Sequence, residues 1–249
     1  MKLFKQIAAL AVILLLPVIA SAEWERTVGA WDTRLPSKGK INVSLWGDYS
    51  KSDLGTGNAA YLDMTYGISD KWSAYVSPSF YSMKPEGAKS ESGLSDTMLQ
   101  TTYRFRDEAT GNFDLAVMGR LQVPTGDEDK GLGTGGFEPG AKLLASKTFG
   151  PVIAVANLSL NAVLNADKGE KNFLASAAFE GVYPLNDKLS LNAGAFVAAP
   201  EIDGGDTDLD LGLGSRYNVK DQMFVGGMFY KCLTESSSWG LQLAVGVEF

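Results

Sequence analysis

The stretch "SSWGLQLAVGVEF" (Ser237–Phe249) alternates. From Trp239 onward Leu241, Leu243, Val245, Val247 and Phe249 share one face, with Gly240, Gln242, Ala244, Gly246 and Glu248 between them. Period two is the signature of a β-strand with one face toward an apolar medium. A terminal strand leaves an edge of unpaired backbone groups unless another strand covers it. Closing the sheet into a barrel supplies that cover, because the last strand then pairs with the first.

The same alternation recurs upstream in segments of about ten residues, the length that crosses a bilayer as a tilted strand. "INVSLWGDYS" sets Ile41, Val43 and Leu45 against Ser44, Trp46 and Asp48. "FDLAVMGRLQV" sets Phe113, Leu115, Val117, Leu121 and Val123 against Asp114, Met118, Arg120 and Gln122. "DLDLGLGSRY" sets Leu209, Leu211, Leu213 and Tyr217 against Asp208, Asp210 and Arg216. Some twelve such segments can be traced, an even number, as bacterial single-chain barrels have. "FEPGAKLLASKT" and "QMFVGGMFYK" alternate least clearly, and their registers stay open.

The connections sort by length. "SDK", "RDEATGN", the region near Gly150, "PLNDK" and "NVKD" are short; residues 51–58, 82–93, 124–136, 163–171, 200–207 and 231–238 form a longer, more acidic and glycine-rich set. Short turns at one rim and long loops at the other describe an antiparallel up-and-down transmembrane β-barrel of the outer-membrane type. A soluble β-sandwich alternates as well, but it would place large aliphatics in a packed core. Here the apolar face mixes Leu and Val with many Ala, and aromatics sit near segment ends, as a membrane-interface girdle requires.

The N-terminus agrees with this reading. Lys2 and Lys5, the apolar run Ile7–Ile19 and the small residues Ala20, Ser21 and Ala22 form a cleavable signal peptide over residues 1–22. Without it the chain carries 20 basic and 29 acidic residues, a net charge of −9, and no basic stripe that would attract nucleic acid. Cys232 is the single cysteine and histidine is absent, so thiolate metal sites, disulfides and the commonest general base are all excluded. Outer-membrane enzymes are therefore disfavoured, and no catalytic residue, metal site or cofactor is expected.

Only inward-facing side chains can meet a solute crossing the wall. The alternation nominates Trp46, Tyr61, Asp63, Tyr75, Asp96, Arg104, Asp114, Arg120, Glu180 and Arg216 as pore-lining, along with Asp48, Lys142 and Glu248. A hairpin folded symmetrically about "RDEATGN" would set Arg104 opposite Asp114 and Asp96 diagonal to Arg120. Such pairs brace the wall, while inward aromatics either stack solutes or fill space. Residues 23–40 precede the first strand; Trp24, Val28, Trp31 and Leu35 make them too apolar for a free tail. They are expected either to plug the lumen or to lie along the periplasmic rim, ahead of a barrel spanning residues 41–249. "GLGTGG" has G-x-G-x-x-G spacing, but Asp127, Glu128 and Asp129 crowd the loop and would repel phosphate.

Three stretches carry a family likeness: "GAWDTRLPSKGKINVSLWGDYS", "YGISDKWSAYVSPSF" and, most distinctively, "GRLQVPTGDEDKGLGTGGFEPGAKLLASKTFGPVIAVANLSLN". Together they resemble the transporter-like outer-membrane family described as "putative MetA-pathway of phenol degradation". The resemblance implies a barrel that passes small hydrophobic or aromatic compounds. Its matching loop motif is Pro124, Thr125, Gly126 and Asp127. The expected function is a channel or transporter in the outer membrane, with a structural or adhesive barrel of closed lumen as the alternative. Expected partners are outer-membrane lipid and lipopolysaccharide, a small-molecule solute, and the barrel-assembly machinery. The last would read the strand ending at Phe249, a signal that resembles those known from outer-membrane proteins.

Overall fold

The computed structural model describes residues 30–164, 169, 171–202, 204–234 and 238–249. The expected signal peptide and residues 23–29 lie outside the described residues. The chain forms one antiparallel sheet of fourteen β segments. Two pairs of these segments are single strands broken at one point, which makes twelve strands. They are β1 (Ile41–Ser52), β2 (Gly55–Ser69), β3 (Trp72–Ser77 and Ser79–Pro85), β4 (Glu91–Leu94 and Thr97–Arg106), β5 (Asp114–Val123) and β6 (Glu138–Phe149). Then follow β7 (Val152–Ala162), β8 (Phe173–Pro184), β9 (Leu189–Ala198), β10 (Asp208–Lys220), β11 (Met223–Cys232) and β12 (Trp239–Glu248).

Each strand pairs with its sequence neighbours, and β1 pairs with both β2 and β12. The seam runs from Asn42↔Glu248 to Lys51↔Trp239, and Ile41 and Phe249 exchange backbone bonds of 3.2 and 2.8 Å at its end. No edge is left bare, so every strand can satisfy its backbone within the wall, as a hydrocarbon environment demands.

Burial is inverted relative to a soluble protein. Among the described residues, sixteen polar or charged residues are buried against twelve apolar ones. Large apolar side chains stand on the outside instead: Leu213 is 70% exposed, and Leu158, Phe179 and Leu243 are similarly bare. Such a belt costs free energy in water and none in lipid. A sandwich core is thereby ruled out. The wall is an outer-membrane β-barrel, its apolar stripe facing hydrocarbon and its polar stripe facing in.

Three details depart from the sequence reading. The connection expected over residues 51–58 is a tight turn at Asp53 and Leu54, and the one expected over 82–93 is residues 86–90. The strands run on into water there, where the apolar alternation that marks a lipid-facing strand is no longer required. The hairpin around "RDEATGN" is not symmetric. It contains a short helix, α1 (Glu108–Gly111), capped by Asp107, and its register shifts between Arg104 and Arg106. Arg104 consequently lies opposite Ala116 and Gln100 opposite Arg120, so the expected Arg104–Asp114 pairing does not form.

The last departure is a bulge. Pro78 interrupts β3, since it has no N–H to give the ladder. Opposite it, β4 holds one residue more than β3 between the pairs Phe80↔Leu94 and Ser77↔Met98. The extra residue turns both Ser95 and Asp96 into the barrel, where they are buried.

Candidate functional site: the occupied lumen

Inward side chains at one level of the wall follow the hydrogen-bond register. Thr65, Tyr75, Gln100, Arg120, Gly140 and Asn161 lie in register across β2 to β7. Gly140 leaves room for its neighbours, because a Cβ there would stand 2.2 Å from the Asn161 amide oxygen and 3.0 Å from Arg120 Cγ.

Two further pieces of chain occupy this space. The first is the segment before β1. Ala30, Asp32, Thr33 and Leu35 are all buried. The Trp31 backbone N–H donates to Asn157 Oδ1 on β7 at 2.8 Å, and Asn157 Nδ2 donates back to the Trp31 carbonyl at 2.8 Å. The Trp31 ring meets Tyr75 on β3 edge-on at 5.3 Å, and Lys142 of β6 stands 5.6 Å above it. Thr33 shares a 2.5 Å hydroxyl contact with Ser146, and Arg34 pairs with Asp32. At the short-turn rim Gly39 N–H donates to the Gly67 carbonyl at 2.7 Å, and Gly67 N–H to the Lys40 carbonyl at 2.9 Å. Gly67 is required by this close approach: a Cβ would lie 2.2 Å from the Ser37 carbonyl oxygen.

The second piece is the loop after β5, residues 124–137. It folds back so that Leu132 is 2% exposed. The Asp96 carboxylate, turned inward by the bulge, holds it in place. Oδ1 accepts from Gly126 N–H at 2.9 Å. Oδ2 accepts from Thr134 N–H at 2.8 Å, the Thr134 hydroxyl at 3.0 Å and Gln122 Nε2 at 3.1 Å. The Thr125 hydroxyl adds a bond of 2.9 Å to the Ser95 carbonyl. Gly126 and Gly133 admit the tight crossing, since a Cβ on either would lie 2.4 Å from Leu132 O or Asp96 Oδ1 respectively. Asp127 receives Lys130 across a 3₁₀ turn, and this hydrogen bond draws its carboxyl below the ordinary value.

Between Trp31 and Leu132 lies a chamber of about 480 Å³. Tyr61, Tyr75, Tyr81, Gln100 and Arg120 face it. On the other side of Trp31 a second cavity of about 340 Å³ is bounded by Glu180, Asp210 and Tyr230. A third, of about 460 Å³, opens toward the short-turn rim beside Arg34 and Arg216.

The remaining nominated residues divide by surroundings. Trp46 packs with Phe224, Met228 and Ala244 in an apolar cluster on the inner wall, touched by Tyr61. The Tyr61 and Tyr81 hydroxyls bond at 2.9 Å. Asp63 accepts from the Ser77 hydroxyl at 2.7 Å, and Glu180 from Asn192 Nδ2 at 2.9 Å. Arg216 donates to Asn218 at 2.7 Å and lies over Phe224. Arg104 donates to the Asp70 carbonyl at 3.1 Å and faces Asp107 at 3.7 Å. Asp114 accepts from Glu108 N–H at 2.6 Å and from the Ser146 hydroxyl at 3.3 Å. Arg104 and Asp114 thus belong to the short-turn rim rather than to the chamber. Sequence reasoning missed Leu132, Thr134 and Tyr81. A lone Leu between glycines was the available signal for the first. Among the described residues no three acidic or cysteine side chains converge as a metal site would require.

In fold the chain is similar to the NanC porin, with a TM-score of 0.64 at 7% identity, covering 82% of this chain and 98% of that one. It is also similar to the KdgM porin in complex with disordered oligogalacturonate, with a TM-score of 0.57 at 9% identity, covering 83% and 99%. At these identities the likeness concerns fold alone. No curated protein matches the sequence. The family described as "Putative MetA-pathway of phenol degradation" matches residues 42–244, all but the ends of the barrel wall. With its closed wall, lipid-facing belt and "PTGD" loop, the chain belongs to that family of outer-membrane β-barrels.

Proposed function

We propose that the protein is a passive outer-membrane channel for small hydrophobic or aromatic compounds, closed at rest by its own N-terminal segment. The observation that carries this reading is the position of Trp31, which touches β3 and β7 at once and divides the lumen into chambers. The segment is held by hydrogen bonds, ring contacts and a β-bridge at Trp31 rather than by an extended strand ladder, so it can leave without opening the wall. Each neutral bond contributes about 0.5–1.5 kcal/mol, a range that allows release and return. The tyrosine-walled chamber suits flat apolar rings, which stack on aromatic faces. Lipopolysaccharide and lipid surround the belt in this reading, and the strand ending at Phe249 addresses the chain to the assembly machinery.

Single-channel recording in planar bilayers tests it. Protein lacking residues 23–36 should conduct steadily and more strongly than the full mature chain, and swelling of proteoliposomes in benzyl alcohol should accelerate. Equal conductance in both forms would remove the plug from the mechanism. Absence of conductance in either form would favour the alternative, a structural barrel whose lumen stays closed.

A further inference from the structure

Arg120 makes no hydrogen bond and no ion pair with any described residue, and its Nε is buried without a partner. It projects into the chamber between Trp31 and Leu132. Its terminal guanidinium nitrogens keep access to water and carry no partner among the described residues, so a ligand in the chamber can take them up. Glu138, diagonal to Arg120 across β5 and β6, tempers its charge without reaching ion-pair distance, and the chamber's other charges are engaged elsewhere. Asp96 is engaged by four donors from Gly126, Thr134 and Gln122, and Lys142 stands over the Trp31 ring. On the two sides of Arg120 the register places Gln100 and, beyond Gly140, Asn161, whose Oε1 and Oδ1 are also buried without partners. Tyr75 lies two strands from Arg120, about 10 Å at ordinary strand spacing, with Gln100 on the strand between them and all three facing the chamber.

We infer that this chamber is a binding site for a small aromatic carboxylate, with the anion on the Arg120 guanidinium and the ring among Tyr61, Tyr75 and Tyr81. The carboxylate accepts from the planar guanidinium, which matches it with two parallel N–H groups. A hydroxyl on the ring would find an acceptor in Gln100 or Asn161. The volume of about 480 Å³ holds one benzoate-sized ring with water, and lies in the range of small-molecule sites. The inference rests on the channel reading for its biological setting, but the site is defined by binding alone.

Isothermal titration of the mature protein in detergent, at neutral pH, separates the two. The probes are 4-hydroxybenzoate, benzyl alcohol and galacturonate. We expect 4-hydroxybenzoate to bind more tightly than either of the others. Arg120→Gln should weaken it at least tenfold while leaving benzyl alcohol unchanged, as loss of a charge-assisted pair predicts. Arg120→Lys should restore part of the loss. Tyr75→Ala, which removes one ring from the site, should weaken the acid and benzyl alcohol alike. Equal affinity for the acid and the alcohol, no binding of the acid, or an Arg120→Gln variant indistinguishable from wild type would each overturn the inference. Folding of every variant is checked by its heat-dependent gel shift. Conductance after removal of residues 23–36 tests the channel independently, so a conducting pore that ignores the acid would refute the site and spare the channel.

Discussion

Asp96 offers the sharpest test of how the lumen is built. Replacing it by Ala removes the acceptor for two backbone amides, Gly126 and Thr134, and for two side-chain donors. Hydrogen bonds to a charged acceptor contribute about 1.5–3 kcal/mol each, so the two amides alone account for at most about 3–6 kcal/mol of what holds the loop. Water recovers part of this once the loop lifts, and a net loss of about 3 kcal/mol is expected, roughly a hundredfold in the closed–open equilibrium. The barrel should survive, because the strand ladders on either side do not use the carboxylate. Hydrogen exchange read residue by residue is the assay. In Asp96→Ala the amides of Gly126, Thr134 and Leu132 should exchange about a hundredfold faster while those of β5 and β6 keep their protection. Asp96→Asn retains one acceptor oxygen and should release only one of the two bonded amides. Unchanged exchange at Gly126 and Thr134 in the Ala variant would refute the claim that this carboxylate fastens the loop. So would a loss of protection spread evenly through the wall.

Other substitutions probe separate parts of the argument. Gly67→Ala drives a Cβ to 2.2 Å from the Ser37 carbonyl and should dislodge the segment before β1, raising conductance while the barrel stays folded. Leu213→Arg puts a charge on the lipid face where the native side chain is 70% exposed; it should cost about 2–4 kcal/mol if it lies near the bilayer midplane, measurable by urea titration of folding into vesicles. Trp46→Ala empties the inner cluster with Phe224 and Met228 and should cost about 3–5 kcal/mol in the same titration. A Leu213→Arg variant as stable as the wild type would argue that the belt does not face hydrocarbon.

Much of the wall was legible because strand alternation is local. Leu209, Leu211 and Leu213 announce their face by spacing alone, whatever lies across the sheet. The ambiguous strands show where that logic ends. In β11 both faces carry apolar residues, and only pairing with β10 and β12 settles that Phe224 and Met228 turn inward while Val225 and Phe229 meet lipid. The expected pairing of Arg104 with Asp114 failed for a related reason: α1 and the register shift beside it break a symmetry that the turn length alone suggested.

By itself, then, the sequence determined a closed barrel of alternating strands, the lipid-facing stripe of the clearly alternating ones, and an apolar segment ahead of the first strand. Those follow from backbone periodicity and from the need to satisfy every peptide group in lipid. Tertiary structure alone decided what fills the barrel. Trp31 and Asn157 are 126 residues apart, and Asp96 and Thr134 are 38 apart. Contacts of that span depend on strand register, on one bulge opposite Pro78 and on glycines that let backbones approach. None of these leaves a periodic trace in the chain, and together they set Arg120 facing a tyrosine-lined chamber.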